Sequence, residues 1–127
     1  MIAVDTSSWI AFFSDREPAG DDTALVESAL ADRQACLPPV VLTELLSDPK
    51  LPASVSSSLL ELPLLEPGSG FWERAGRTRA RLLAKRHRAR LADTLIAQSC
   101  VDHGVRLVTR DTDFRHFARF AGLRLAL

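Results

Sequence analysis

The chain has 127 residues, of which 46% are hydrophobic and 25% are charged. This length and composition predict one folded domain over residues 1–127 and exclude a disordered chain. No apolar run approaches the roughly 20 residues that span a membrane, so we expect a cytoplasmic protein with no membrane partner. Cys36 and Cys100 lack the spacing of a metal site, and we expect both to be buried, reduced thiols.

The charges are divided unevenly along the chain, although the formal net charge is zero. Residues 1–66 contain 11 acidic and 3 basic residues, whereas residues 67–127 contain 5 acidic and 13 basic residues. This asymmetry predicts either a polyanionic partner for the basic half or a basic surface that is covered by an acidic one.

Short apolar segments alternate with helical segments along the chain. Apolar and β-branched runs predict strands at residues 1–4, 35–37, 62–65, 105–109 and 123–127. Helical spacing predicts helices at about residues 6–14, 21–30, 40–46, 53–60, 71–85 and 91–103, with a short helix after residue 113. Asp21 or Asp22 is expected to cap the second helix, and Gly104 to end the sixth. The alternation predicts an α/β fold with a mainly parallel sheet of about five short strands.

Four acidic residues are expected to meet at one edge of this sheet. Asp5 and Asp111 each follow a predicted strand, Asp93 lies in the first turn of a helix, and Glu44 lies in the helix after Pro39. The carboxyl ends of parallel strands meet at the same edge, where ligands bind. Each acid alone also has an ordinary explanation, such as a helix cap or a solvated helix position.

Together, the four carboxylates need a neutralising partner. Two carboxylates about 4 Å apart repel by roughly 4 kcal/mol at an effective dielectric constant near 20. Oxygen donors without His or Cys favour Mg²⁺ or Mn²⁺ over zinc. Because such ions bind phosphate oxygens and activate water, the residues favour a metal-dependent phosphodiester hydrolase. A regulatory domain that binds Mg²⁺ without cutting nucleic acid remains an alternative.

Four segments resemble the motifs of PIN-domain ribonucleases, and the chain has the size of the VapC-like toxins within that family. The segments are MIAVDTS at residues 1–7, VLTEL at 41–45, ADTLIA at 92–97 and LVTRDTDF at 107–114. The resemblance implies a three-layer fold in which helices flank the central sheet. A scaffold of this family that binds RNA or a partner without activity is a further alternative, which the intact acidic group disfavours.

The resemblance also implies a Mg²⁺- or Mn²⁺-dependent endoribonuclease, the toxin of a type II toxin–antitoxin pair. Asp5, Glu44, Asp93 and Asp111 would be its catalytic and metal-binding residues, with Glu44 orienting or deprotonating the attacking water. The supporting residues would be Ser7, Thr6, Thr109 and Asp113, although Asp113 could instead cap the last helix. The implied partners are an RNA substrate, a second copy in a homodimer, and a small antitoxin whose C-terminal tail crosses the acidic groove.

Eight basic residues lie between residues 74 and 90, with no acidic residue among them. A solvated helix face, a track for RNA phosphates and a docking surface for the antitoxin are all compatible with this stretch. The residues expected to contact nucleic acid are Lys85, Arg86, Arg88, Arg90 and Arg110.

Overall fold

A parallel sheet forms the centre of the computed structural model, which describes residues 1–127, and seven helices surround it. In chain order the elements are β1 (Ile2–Val4), α1 (Thr6–Phe13), α2 (Asp21–Ala31), β2 (Ala35–Cys36), α3 (Pro39–Leu46), α4 (Ala53–Leu60), α5 (Phe71–Ala84), α6 (Leu91–His103), β3 (Arg106–Val108) and α7 (Phe114–Phe120). The strands lie in the order β2-β1-β3. The predicted α/β class and the parallel sheet are therefore confirmed.

The sheet has three strands, so the prediction of about five was wrong. The segments at residues 62–65 and 123–127 each join the sheet through a single parallel bridge, from Leu64 to Leu37 and from Leu125 to Leu107. Pro63 has no N–H to donate and only accepts a hydrogen bond from Leu37. At the other edge, alternate residues of β3 bond to opposite neighbours. Only the N–H and carbonyl of Leu107 therefore bond to the segment at residues 123–127.

The helix boundaries follow the signals in the sequence closely. Pro39 occupies the first turn of α3, and Gly104 ends α6 in the left-handed conformation with φ of 65°. The expected cap of α2 was wrong, because Gly20 is the N-cap residue and both aspartates lie inside the first turn. The Asp22 side chain turns instead toward α1, where it accepts a hydrogen bond from Ser8.

Aliphatic and aromatic side chains fill the space between the sheet and the helices. Trp9, Phe114 and Phe117 are fully buried, as is Leu107 at the centre of β3. Cys36 and Cys100 are buried and unpaired, as expected. None of the helices combines the length and the apolar character that crossing a membrane requires.

A buried hydrogen bond and an ion pair hold α5 against α6. Thr78 donates to the side-chain carbonyl of Gln98 at 2.6 Å, and both residues are buried. Farther along the two helices, Arg74 binds Asp102 with an N–O distance of 2.6 Å. This packing fixes the position of α6, whose first turn carries Asp93.

Candidate functional site

The register of the sheet places Asp5 beside Thr109. Val4 and Val108, the last residues of β1 and β3, are paired, and the backbone N–H of Asp5 donates to the carbonyl of Val108 at 2.8 Å. The residues that follow the two strands therefore leave the same edge of the sheet together. Thr109 Oγ1 donates to the Asp5 carboxylate at 2.8 Å, across this edge.

Two hydroxyl groups hold the Asp5 carboxylate. Ser7 and Thr109 both donate to Oδ2 of Asp5 at 2.8 Å. Asp5 is only 5% exposed, and burial raises its pKa, whereas the two hydroxyls oppose that rise by stabilising the charged form. Because Asp5 is the N-cap residue of α1 but makes no side-chain capping bond, its carboxylate remains directed into the site.

Three carboxylates converge beside this edge. Asp93 in the first turn of α6 meets Asp111 and Asp113, which lie between β3 and α7, and ligand oxygens of the three lie within 4.8 Å of one another. Asp113 is the N-cap residue of α7, but its side chain makes no capping hydrogen bond. The Asp113 carboxylate lies with those of Asp93 and Asp111 and does not cap the helix. Asp5 and Glu44 lie outside this closest group.

The charge density of this group shows in the titration of Asp93. Burial raises the pKa of Asp93 to about 6, and repulsion from Asp111, Asp5 and Asp113 adds to the effect, whereas the positive charge of Arg90 opposes it. Burial and the neighbouring negative charges therefore both favour the protonated form of Asp93.

Glu44 of α3 lies at the side of the site that faces the start of α1. Its carboxylate is exposed and accepts a hydrogen bond from Thr6 Oγ1 at 2.7 Å. Thr6 directly follows Asp5, and the negative charge of Glu44 contributes to the raised pKa of Asp5. Glu44 is therefore electrostatically coupled to the buried acid but remains open to solvent.

The loop between α5 and α6 borders the acidic group with positive charge. Arg88 Nη1 lies 4.0 Å from Asp113 Oδ2, and Arg88 is well exposed. The same loop is docked on α7 by His87, whose ring stacks on that of His116 at a centroid distance of 4.3 Å. Nothing in the sequence relates residue 87 to residue 116, so this contact is evident only from the fold. Lys85, Arg86 and Arg90 are also exposed.

Arg110 turns away from the acidic group. Its guanidinium binds the carboxylate of Asp22, which is 5% exposed. Sequence reasoning missed Asp22 as a partner of this site, because neither residue carries a motif that relates them across 88 positions of the chain. The expectation that Arg110 contacts nucleic acid remains a prediction.

We call the site formed by Asp5, Asp93, Asp111 and Asp113, with Glu44 at its side, the acidic cleft. Its donor set fits a hard divalent cation. The ligand atoms of Asp93, Asp111 and Asp113 are all carboxylate oxygens, and Asp5 Oδ1 receives no hydroxyl donor. No histidine or cysteine belongs to the group, which disfavours zinc. A bound cation would relieve the repulsion among these carboxylates, which adds to the effect of burial on the pKa of Asp93.

A family model described as PIN domain matches residues 2–120. Ribonuclease VapC11 of Mycobacterium tuberculosis strain H37Rv is 32% identical over 132 residues, which cover 99% of this chain and 98% of that protein. VapC ribonuclease Mb1587 of Mycobacterium bovis matches to the same extent, with 32% identity.

Two solved structures have a similar fold. A DNA-bound VapBC from Salmonella typhimurium matches with a TM-score of 0.71 and 21% identity, covering 98% of this chain and 95% of the other. VapBC2 from Rickettsia felis, bound to a DNA fragment from the VapBC promoter, matches with a TM-score of 0.66 and 23% identity, covering 98% and 97%. At these identities the likeness concerns the fold.

Proposed function

Because the chain belongs to the PIN-domain family and to the VapC ribonucleases within it, we propose that it is a Mg²⁺- or Mn²⁺-dependent endoribonuclease of the cytoplasm, acting as the toxin of a type II toxin–antitoxin pair. The observation that carries the proposal is the convergence of Asp93, Asp111 and Asp113 within 4.8 Å, beside the buried Asp5. Such a group has no evident structural role, because repulsion among its carboxylates destabilises the folded protein when they are ionised.

The metal would be held by Asp5, Asp93 and Asp111, with Asp113 and Glu44 as further carboxylates of the cleft. A bound Mg²⁺ or Mn²⁺ supplies two things: it lowers the pKa of a water molecule, and it stabilises the negative charge that develops on the phosphoryl group. Ser7 and Thr109 favour the ionised form of Asp5 and orient it by donating to its Oδ2.

Glu44 is the residue best placed to handle the attacking water. It is exposed, whereas Asp5 is buried, and the Thr6 hydroxyl fixes one of its oxygens. We assign it the orientation or deprotonation of the water that attacks phosphorus in line with the leaving oxygen. The products of that attack are a 5′-phosphate and a 3′-hydroxyl end.

The basic loop between α5 and α6 would bring the RNA backbone to this cleft. Arg88 and Arg90 already interact with the acidic group, since Arg88 lies 4.0 Å from Asp113 and Arg90 lowers the pKa of Asp93. Exposed guanidinium groups beside the carboxylates offset the repulsion between those carboxylates and an approaching phosphate group. Lys85 and Arg86 extend the same positive surface.

The partner proteins are a small antitoxin and a second copy of this chain. The likeness to two solved VapBC assemblies supports the antitoxin. A cavity of about 250 Å³ beside Glu44 has apolar walls formed partly by Ile10, Phe13 and Leu51, and Ile10 is 51% exposed. We propose that the antitoxin covers this cavity and directs its C-terminal tail across the acidic cleft.

The proposed activity is tested by incubating the purified protein with short RNAs and Mn²⁺. Cleavage should appear with Mn²⁺, disappear with a chelator and be absent from Asp93→Asn. The matched control is Asp32→Asn, which removes an equal charge from an exposed position outside the site. Metal binding without cleavage would favour the regulatory alternative, and RNA binding without cleavage would favour the inactive scaffold.

A further inference from the structure

Arg110 and Asp22 form an ion pair behind the loop that carries Asp111, in which the Asp22 carboxylate is buried and the Arg110 side chain is partly exposed and also lies 3.7 Å from Glu17. The Asp22 carboxylate accepts hydrogen bonds from Nε and Nη2 of Arg110, both at 2.8 Å, and from Ser8 at 2.8 Å. The guanidinium also donates to the carbonyl of Pro18 at 3.2 Å. The pKa of Asp22 is lowered to about 2, mainly by the Arg110 guanidinium, so the pair is fully charged near neutral pH.

The residues on either side of Arg110 belong to the acidic cleft. Thr109 Oγ1 donates to Asp5 and accepts the backbone N–H of Asp111 at 3.0 Å. The backbone N–H of Arg110 itself donates to Ser7 Oγ at 3.4 Å. The contacts of the three side chains therefore differ in direction, because Thr109 and Asp111 join the acidic residues while Arg110 binds Asp22 of α2.

The loop after β3 is held near Asp5 by hydrogen bonds from Thr109 and Arg110, and the Asp22–Arg110 pair anchors its other side to α2. Thr109, Arg110 and Asp111 belong to no helix or strand. A bidentate guanidinium–carboxylate pair fixes direction as well as distance. Compared with apolar side chains of similar volume, an ion pair with a buried carboxylate adds little to stability, so its presence here is better explained by the geometry that it imposes.

We propose that the Asp22–Arg110 pair is a positioning device that holds Thr109 and Asp111 at the edge of the cleft, and that Arg110 does not contact RNA. The inference rests on the proposed function, since it assigns the pair to the geometry of the same metal-binding carboxylates. Asp22 and Arg110 are positioning residues, because neither reaches the acidic group with its own side chain.

The test compares Arg110→Gln, Asp22→Asn and the double variant with the parent protein. Mn²⁺ affinity is measured by electron paramagnetic resonance of the free ion, alongside Tm without metal, kcat, KM and the salt dependence of RNA binding. Each variant should bind Mn²⁺ about 10–100-fold more weakly, as expected when the residues that orient metal ligands are lost. KM should stay near the parent value while kcat falls, and the double variant should be no worse than the worse single variant.

Two controls sharpen the comparison. Arg106→Gln makes the same substitution at an exposed position on β3 and should leave Mn²⁺ affinity and kcat unchanged. Arg110→Lys keeps the charge but loses the two-pronged geometry, so it should lie between the parent and Arg110→Gln. If a single variant is too unstable to study, the double variant decides, because it leaves no uncompensated buried charge.

Two results would overturn the proposal. One is parent-like Mn²⁺ affinity in the folded double variant. The other is a higher KM with a weaker salt dependence in Arg110→Gln but not in Asp22→Asn, which would show that Arg110 binds an RNA phosphate. The proposed function fails separately: if the parent binds Mn²⁺ but cuts no RNA, the Mn²⁺ titration of the variants still decides the positioning role.

Discussion

Asp93 at the start of α6 and Asp111 after β3 bring carboxylate oxygens to within 4.8 Å of each other. Asp93 is positioned by the packing of α6, whereas Asp111 lies in the loop after β3, where its backbone N–H donates to Thr109 Oγ1 at 3.0 Å. Burial raises the pKa of Asp93 to about 6, and repulsion from Asp111 adds to the effect. The ionised form of Asp93 is therefore disfavoured in the folded, metal-free protein.

The stability of the metal-free protein should fall as the pH rises from about 4 to about 6. The pKa of Asp93 is about 6 in the folded state and near its ordinary value of 3.8 in the unfolded state. In this interval the folded state holds the extra proton, so raising the pH favours unfolding. The expected loss is about 1–2 kcal/mol, after allowance for solvent screening of a half-buried group.

Denaturant unfolding of the parent and of Asp93→Asn across this pH range checks the sign. The variant should be the more stable protein above about pH 6, and the difference should vanish near pH 4, where the parent carboxyl is protonated. Adding Mn²⁺ near neutral pH should stabilise the parent and have a much smaller effect on the variant. Equal pH profiles for the two proteins would contradict the assignment of this pH dependence to Asp93.

Asp93→Asn should fold like the parent and lose RNA cleavage. Replacing one oxygen donor by an amide removes a negative charge from the metal-binding group without changing the shape of the side chain. We expect a loss of at least about 100-fold in kcat/KM, the size associated with losing a charged group that stabilises the transition state. Time courses with a labelled RNA, run beside Asp32→Asn, measure it, and cleavage at the parent rate by a folded Asp93→Asn would remove Asp93 from the mechanism.

The acidic cleft could be anticipated because each of its members lies next to a strong local signal. Asp5 directly follows a fully apolar strand, and Asp93 opens a helix that ends at Gly104. Parallel pairing then brings the ends of β1 and β3 together. The position of Asp113 could not be decided in the same way, since a helix cap and a member of the acidic group look alike in sequence.

The edges of the sheet and the support behind the cleft were beyond the sequence. Whether the segment around Leu64 forms a strand depends on how many backbone N–H and carbonyl groups near Leu37 are free to pair with it. Only one bridge, between Leu37 and Leu64, results. Asp22 carried the local signal of a helix cap, but its partner Arg110 lies 88 residues away. Pairing over that distance depends on how α1, α2 and β3 pack, which periodicity does not encode.

Glu44→Gln should separate water activation from metal binding. Glu44 is exposed, held by Thr6 and outside the closest carboxylate group. We expect kcat to fall by about 10²–10⁴-fold, the usual contribution of a general base, while Mn²⁺ affinity changes little. Glu61→Gln, at another exposed position, is the control for the lost charge. A large loss of Mn²⁺ affinity in Glu44→Gln would make this residue a metal ligand instead.

Replacing Arg86, Arg88 and Arg90 together by Gln should flatten the salt dependence of RNA binding. Each phosphate contact on a single strand contributes about 0.7 to the slope of log K against log salt concentration, so three lost contacts reduce its magnitude by about 2. The control replaces three exposed arginines elsewhere, Arg16, Arg33 and Arg106. Equal slopes for the two triple variants would mean that the loop does not follow the RNA backbone.

Thr109→Val should move the acidic limb of the pH–rate profile to higher pH. The Thr109 hydroxyl donates to Asp5 Oδ2 and stabilises its charged form, while burial already raises the pKa of Asp5. Valine keeps the shape of the side chain but removes the donor, so the pKa of Asp5 rises further and a higher pH is needed to ionise it.

The measurement is kcat/KM against pH at saturating Mn²⁺ for the parent, Thr109→Val and Thr112→Val. Thr112 lies in the same loop but is exposed and donates to no site residue, so its variant should follow the parent profile. Ser7→Ala should shift the limb in the same direction as Thr109→Val, because Ser7 donates to the same oxygen. An unshifted limb in both variants would mean that ionisation of Asp5 does not control cleavage, whereas a parallel shift in both would identify Asp5 as the group whose ionisation that limb reports.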